Sequence, residues 1–255
     1  VHSSTLTELE VGSGVDNGLV ELLPSWPNLR HLNVHDSTTT DRLFEASSLP
    51  QLDKLQLGSD ITDKGLSAVV EKSPLLKVLI LSDASRRVSL VPLAKAKNLE
   101  HLSCSERHLT KEGIAALSNL ASLQSMIWTF PIHDEVVSRL KPLRPQIRRL
   151  QLQNYTHTGS PGLTDVGIAE LAASLNLEAL TFSANSSPTD KGLLELAKMS
   201  ALRNVEIGCP DAEDRLTASG IEAFRKLRPD VALIINEKTY PATGGKSDTA
   251  VDKED

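Results

Sequence analysis

The sequence has few aromatic residues, cysteines or methionines. Aromatic side chains make up 3% of its 255 residues, and it holds two cysteines and two methionines. Two cysteines exclude a disulfide framework and a four-cysteine zinc site. Lys and Arg number 27 against 33 Asp and Glu, a net charge of −6 that argues against nucleic-acid backbone binding. No apolar run approaches the roughly 20 residues of a membrane span, so we expect no membrane insertion.

Leucine, in contrast, occurs 41 times and recurs in a fixed pattern. The motif apolar-x-x-apolar-x-apolar begins at ten places, 23 to 30 residues apart. The copies are LTELEV from Leu6, LRHLNV from Leu29, LDKLQL from Leu52, LKVLIL from Leu76, LEHLSC from Leu99, LQSMIW from Leu123, IRRLQL from Ile147, LEALTF from Leu177, LRNVEI from Leu202 and a worn copy near Val231. A period of this length indicates a stacked repeat protein.

Each repeat combines a strand signal with a helix signal. Apolar and polar residues alternate in the motif, as Leu55 and Leu57 do with Lys54 and Gln56, which predicts a short strand. Between strands, segments such as LTDVGIAELAASL place a threonine before an apolar helical pattern. The predicted helix N-caps are Thr62, Thr110, Thr164, Thr189 and Thr217. The fourth repeat differs, because Pro92 is tolerated only in a first helical turn or a 3₁₀ turn.

One strand and one helix per repeat cannot bury a face alone, so neighbouring repeats must stack. Strands are narrower than helices, which makes the stack curve. The predicted fold class is α/β: a right-handed solenoid of about ten parallel strands on the concave face, with short helices on the convex face.

These residues resemble the leucine-rich repeat family, over roughly residues 1 to 236. The LTDxGL element resembles the cysteine-containing subfamily of F-box adaptors and of planctomycete-type bacterial proteins. One departure concerns the turn after each strand, where the family carries asparagine or cysteine. Here the residues are Gly14, Ser37, Asp60, Ala84, Arg107, Pro131, Tyr155, Asn185 and Pro210. Only Asn185 fits, so we expect the usual polar ladder to be replaced or missing.

Two regions follow from composition. Residues 1–236 form the predicted solenoid, and residues 237–255 form a polar segment with almost no apolar content, for which we expect a disordered tail. No amphipathic cap precedes Leu6, so we expect the chain to be part of a longer one.

Catalytic and metal-binding signatures are missing from the sequence. It contains no phosphate-binding glycine loop, HExxH, GxSxG or paired CxxC. His31 and His101 occupy equivalent positions three strands apart, roughly 14 Å, too far to share a metal ion. We therefore expect no enzyme activity, no metal and no cofactor.

The exposed strand positions predict a binding surface. Most are polar, but Val78 and Ile80 of the fourth repeat and Ile127 of the sixth are apolar, and Phe130 follows Ile127 on the same strand edge. Apolar side chains in the middle of a concave sheet are typical of a partner-binding site. The alternative is that they reflect β-propensity, or that Phe130 folds under the turn.

A second candidate surface is the rim, where two repeats carry insertions. Asn154–Gly162 brings Tyr155 and His157, and Cys209–Arg215 brings three acidic residues. Tolerated surface insertions are the alternative explanation. We also expect the arginine-rich run around Arg148 and Arg149 to form salt bridges rather than a nucleic-acid site.

The predicted function is a non-enzymatic scaffold that binds a protein or peptide on its concave sheet and C-terminal rim loops. The resemblance implies one alternative, the substrate-recognition part of an F-box-type ubiquitin-ligase adaptor. A binding arm of a larger enzyme is another. With neither a signal peptide nor a disulfide framework in these residues, a cytoplasmic location is favoured over a secreted one.

Overall fold

A single eleven-stranded sheet dominates the computed structural model, and its strands follow one another in sequence order. The structure describes residues 5–12, 18–35, 40–58, 60–81, 88–105, 108–129, 133–153, 162–183, 186–209 and 211–243. The strands are β1 (Glu8–Glu10), β2 (His31–Asn33), β3 (Lys54–Leu57), β4 (Val78–Leu81), β5 (His101–Ser105), β6 (Ser125–Thr129), β7 (Arg149–Gln153), β8 (Ala179–Ser183), β9 (Asn204–Gly208), β10 (Ala232–Ile235) and β11 (Lys238–Tyr240). All ten predicted strands are present, and each pairs in parallel with the next.

Short helices connect these strands along the other face. They are α1 (Leu19–Leu22), α2 (Asp41–Ala46), α3 (Asp63–Lys72), α4 (Lys111–Leu117), α5 (Asp134–Val137), α6 (Asp165–Ser174), α7 (Asp190–Leu196), α8 (Ala212–Arg215) and α9 (Ala218–Leu227). Among the residues described, 3₁₀ helices accompany them at Leu23–Ser25, Val91–Lys95 and Ser138–Leu143. Pro92 lies in the first turn of the second of these, which confirms its predicted place.

The core lies between the sheet and the helices. The fourth position of each repeat points inward, so Leu55, Leu79 and Leu102 pair across β3, β4 and β5 and are at most 1% exposed. The same inward position continues along the sheet as Met126, Leu150, Leu180, Val205 and Leu233. Because each repeat buries its leucines against the next, the core is continuous along the stack.

The five predicted threonine caps are confirmed. The side chain of each accepts a hydrogen bond from a backbone N–H in the first turn of its helix. That bond satisfies one of the N–H groups that a helix start leaves without a partner inside the helix.

A ladder of aspartates joins neighbouring repeats at these helix starts. In five helices the first residue is an aspartate whose carboxylate accepts from the backbone N–H and the hydroxyl of a threonine or serine near the start of the next repeat's helix. The pairs are Asp41–Thr62, Asp63–Ser89, Asp134–Thr164, Asp165–Thr189 and Asp190–Thr217. The ladder is interrupted at α4, which begins with Lys111, and ends at α9, which begins with Ala218. We call it the aspartate ladder.

The glycine of the LTDxG element makes room for this ladder. A Cβ on Gly65, Gly167, Gly192 or Gly220 would lie 2.0–2.4 Å from a carboxylate oxygen of the preceding repeat. No ordinary contact is that short, so these positions need glycine for close approach. Of the nine turn positions where the leucine-rich repeat family carries asparagine or cysteine, Asp60 is the one within the described ranges, and it is exposed.

The expected boundary at residue 236 needs a correction. Lys238–Tyr240 form β11, which pairs antiparallel with β10 and lies in the segment for which a disordered tail is expected. Asn236 and Glu237 make the tight turn, with φ of 44° and 71°. Two positive φ angles in succession give the turn that suits a hairpin's twist, and β11 thereby covers the hydrogen-bonding edge of β10.

Candidate functional site

The outward side chains of the sheet form two ladders across the concave face. The register places in the first Glu8, His31, Lys54, Val78, His101, Ser125, Arg149, Ala179, Asn204 and Ala232. The second contains Glu10, Asn33, Gln56, Ile80, Ser103, Ile127, Gln151, Thr181, Glu206 and Ile234. Side chains adjacent in a ladder are about 4.8 Å apart at the backbone, so each ladder is a continuous surface.

Three of the predicted site residues lie together in the middle of this surface. Val78 and Ile80 on β4 and Ile127 on β6 are each partly exposed on the outward face. Ile80 and Ile127 share a ladder and are two strands apart, about 10 Å, with Ser103 between them. We call Val78, Ile80 and Ile127 the central patch.

The other three predicted site residues, Phe130, Tyr155 and His157, lie outside the residues that the structure describes. The second predicted rim insertion is described except for residue 210, and its acidic residues Asp211, Glu213 and Asp214 are exposed. Cys209 and Ala212 are at most 1% exposed, and Asp211 forms an ion pair of 3.0 Å with Arg215. Burial also raises the pKa of the Cys209 thiol to about 11, so this cysteine is a protonated core residue at neutral pH.

At its N-terminal end the concave face carries a polar network around β1 and β2. The ring of His31 lies 2.9 Å from Glu8 through Nδ1 and 3.2 Å from Asp53 through Nε2. Asn33 donates to Glu10 at 3.2 Å through Nδ2. A shallow groove is lined by Glu8, Glu10, His31 and Asn33 together with Lys54 and Gln56. The polar groups of this end are thus paired with one another.

The middle of the face has a different charge. From β3 to β7 the described outward strand positions hold no carboxylate, while Lys54 stands at one end of this stretch and Arg149 at the other. Arg149 is exposed, and its guanidinium has no ion-pair or hydrogen-bond partner among the residues described. Its neighbour Arg148 lies 4.0 Å from Glu178. The expected pairing of the arginine run is therefore present at Arg148 and not at Arg149.

Within the described part of the chain, no three His, Cys, Asp or Glu side chains come together as metal ligands. His101 lies next to Ser125 across β5 and β6, and its ring makes no hydrogen bond to any described group. Among the helices of the same residues, none is both long and apolar enough to cross a bilayer.

No protein-family model matches the chain, and no curated protein matches it in sequence. Among solved structures it is similar to a Bacteroides fragilis protein, with 16% identity and a TM-score of 0.50 over 94% of this chain and 68% of that one. A chain of the yeast Rad7–Elc1 complex matches with 14% identity and a TM-score of 0.49, over 95% and 74%. A chain of the TLR13–ssRNA13 complex matches with 18% and 0.44, over 81% and 36%. The similarity to the Bacteroides fragilis protein shows a shared fold and nothing more.

The geometry of the chain itself defines the fold. The chain has one strand and one helical connection per repeat. Its strands pair in parallel and in register, and neighbouring repeats share a leucine core. The fold is a leucine-rich repeat solenoid. In such a solenoid, the outward strand residues belong to different repeats and can change independently of the core, which makes the concave sheet a natural binding face.

Sequence reasoning overlooked Arg149 as a surface residue of interest. It was grouped with Arg148 as part of a charged run. The signal that could have found it is its place in the motif: Arg149 stands at the third position, like Lys54 and Val78, and that position points outward.

Proposed function

We propose that this solenoid is a non-enzymatic interaction scaffold that binds a protein or peptide at the centre of its concave sheet. The observation that carries the proposal is the central patch, where two isoleucines share one outward ladder and a valine lies beside them. Single exposed apolar side chains are common on proteins. Three that lie within about 12 Å on a concave face give a partner an apolar anchor point.

The arrangement of polar groups around the patch supports binding rather than catalysis. Nucleophilic catalysis requires a hydroxyl or thiol, a base that accepts its proton and a third group that orients the base. Ser125 and His101 are neighbours on the sheet, yet no described carboxylate is bonded to the histidine ring. The described cysteines, Cys104 and Cys209, are both buried. Ser125, His101 and these two cysteines therefore do not form such a set.

The test is capture of partners from a native lysate by three versions of the protein. The wild type is compared with Ile80→Asp/Ile127→Asp, which places two charges in the central patch. A matched control, Val166→Asp/Leu227→Asp, places two charges on the convex side, where these side chains are 71% and 62% exposed.

Loss of a partner from the patch variant, with retention by the control, supports the proposed site. Equal capture by all three would contradict it and would direct attention to the rim, where Tyr155→Ala/His157→Ala is the variant to examine. Loss from both variants would indicate a general effect of added charge and would also contradict the proposal.

A further inference from the structure

We infer that the middle of the concave sheet binds a phosphorylated residue of its peptide partner, next to the central patch. This inference rests on the proposed function, because it names the chemistry of the ligand at that same site. It is carried by three hydrogen-bond donors that adjoin the patch, His101, Ser125 and Arg149. We call these three residues the donor row.

The donor row occupies consecutive strands of one outward ladder. The register places His101 of β5 beside Ser125 of β6, and Ser125 beside Arg149 of β7. Neighbours in the ladder are about 4.8 Å apart at the backbone, so the row spans about 10 Å. Arg149 is exposed and the other two are partly exposed, so a ligand on the concave face can reach all three.

The polar groups of the donor row are not used within the described protein. Among the residues described, none of the three side chains has a hydrogen-bond or ion-pair partner. The histidine at the equivalent position of β2 differs, because His31 lies between Glu8 and Asp53 and contacts both. The donor row can therefore bind a ligand without first breaking a bond within the protein.

The charge around the donor row is positive. The described outward positions of β4 to β8 hold no carboxylate. The acids that precede β5 and β8 are paired with other cations, since Glu100 lies 2.9 Å from Lys77 and Glu178 lies 4.0 Å from Arg148. The guanidinium of Arg149 thus keeps its charge, which attracts an anionic group to this part of the sheet.

The number and spread of the donors favour a phosphoryl group over a carboxylate. Arginine offers a fork of N–H groups, serine one O–H and histidine at least one ring N–H. A carboxylate has two oxygens in one plane, which a guanidinium satisfies alone. A phosphoryl group carries up to two charges and three terminal oxygens that point in different directions. It can therefore accept from side chains on several strands at once.

The central patch favours a peptide as the carrier of this group. Ile127 follows Ser125 by two residues on β6, and Val78 lies one strand before His101 in the same ladder. An apolar residue of the ligand can therefore contact the patch while a phosphorylated neighbour contacts the donor row. A nucleic-acid backbone is bound by a series of lysines and arginines, and the donor row contains a single arginine.

The test uses three pools of short synthetic peptides that share a fixed central residue and vary elsewhere. The central residue is phosphoserine in the first pool, serine in the second and glutamate in the third. Each pool is passed over the immobilised protein, and peptides that are retained are titrated individually by fluorescence anisotropy. The proteins compared are the wild type, Arg149→Gln, Ile80→Asp/Ile127→Asp and the control Arg144→Gln, which removes an exposed cation from a turn off the concave face.

The expected result is retention of phosphoserine peptides well above the other two pools. Arg149→Gln should weaken these peptides about tenfold or more, because it removes a charge-assisted pair, whereas Arg144→Gln should stay within about twofold. Arg149→Lys should restore part of the loss, since it keeps the charge without the fork. Ile80→Asp/Ile127→Asp should weaken the same peptides, because their apolar residues bind at the patch.

Equal retention of the three pools would overturn the inference, as would phosphoserine peptides that Arg149→Gln binds as well as the wild type does. Preferred retention of the glutamate pool would also overturn it, because the ligand group would then be a carboxylate. So would a single-stranded oligonucleotide that binds more tightly than any phosphoserine peptide. In each case, retained peptides that still depend on Ile80 and Ile127 would leave the proposed function standing, and retained peptides that do not would contradict it as well.

Discussion

The carboxylate of Asp165 accepts two hydrogen bonds from Thr189, one from its backbone N–H at 2.8 Å and one from its hydroxyl at 2.6 Å. It also accepts from the N–H of Gly192 at 3.0 Å. Asp165 begins α6 and Thr189 caps α7, so one side chain joins two repeats. The threonine meanwhile caps its own helix, so this step of the aspartate ladder is both an N-cap and a link between neighbours.

Asp165→Ala should therefore destabilise the solenoid by about 1–3 kcal/mol, because it leaves two N–H groups and a hydroxyl without their acceptor. Urea unfolding measures the change. The control is Asp211→Ala, whose carboxylate makes an exposed pair with Arg215, where the expected change is within about 0.5 kcal/mol. Equal losses in the two variants would mean that the ladder contributes no more than a surface ion pair.

Gly192→Ala tests the spatial requirement of the same step. An added Cβ would lie 2.4 Å from the Asp165 carboxylate, so we expect a loss of about 1–3 kcal/mol. The matched control is Gly208→Ala, where the nearest atom would be 3.5 Å away, an ordinary contact. In the Asp165→Ala background, Gly192→Ala should lower the free energy of unfolding by a smaller amount, because the clashing carboxylate is gone. An undiminished cost there would refute the clash as its cause.

The register of β4 is tested by two adjacent residues. Leu79 is fully buried, and a carboxylate there has no partner, so Leu79→Asp should abolish cooperative unfolding at room temperature. Ile80 points outward, and Ile80→Asp should lower the midpoint temperature of thermal unfolding by no more than a few degrees. Circular dichroism during heating measures both. A tolerated Leu79→Asp would show that the inward and outward faces are assigned the wrong way round.

Asp230 gives the C-terminal end a dependence on pH. The hydrogen bond from Arg228 is the main cause that lowers the pKa of this carboxyl below its ordinary value of 3.8. A carboxyl with a lowered folded-state pKa stabilises the fold above its unfolded pKa, and that stability is lost as the pH falls through the folded value. Asp230→Asn should thus be less stable than the wild type at about pH 7 and equal to it at about pH 2.

The effect of Asp230 should be small, because its side chain is 48% exposed and solvent screens the pair. Glu213→Gln is the control, since Glu213 is exposed and has no described partner. A stability difference for Asp230→Asn that persists in strong acid would show that something other than this charge is responsible.

The sequence was sufficient to predict the repeat, the ten parallel strands and the helix caps. Each depends on short-range patterns, the alternation around residues such as Leu55 and the threonine before each helix, which repetition makes unmistakable. It did not predict β11. Its turn uses Glu237 at a positive φ, where glycine or asparagine is the usual signal, and one short polar strand resembles a solvated tail.

The candidate site was predictable in part. The motif position alone shows that Val78, Ile80 and Ile127 point outward, and the register confirms that placement. Whether a charge such as Arg149 has a partner depends on residues in neighbouring repeats, because ion pairs across strands join positions more than 20 residues apart. The aspartate ladder was missed for the same reason: Asp165 and Thr189 meet only once their repeats stack.

The central claim is that the middle of the concave sheet binds a protein partner, and titration calorimetry of a captured and purified partner tests it most directly. The wild type, Ile80→Asp/Ile127→Asp and Val166→Asp/Leu227→Asp are titrated side by side. We predict that the patch variant loses about 30-fold or more in affinity, as expected when the anchors of an interface are replaced by charges, and that the control stays within about twofold. Equal affinities for all three proteins would contradict the claim.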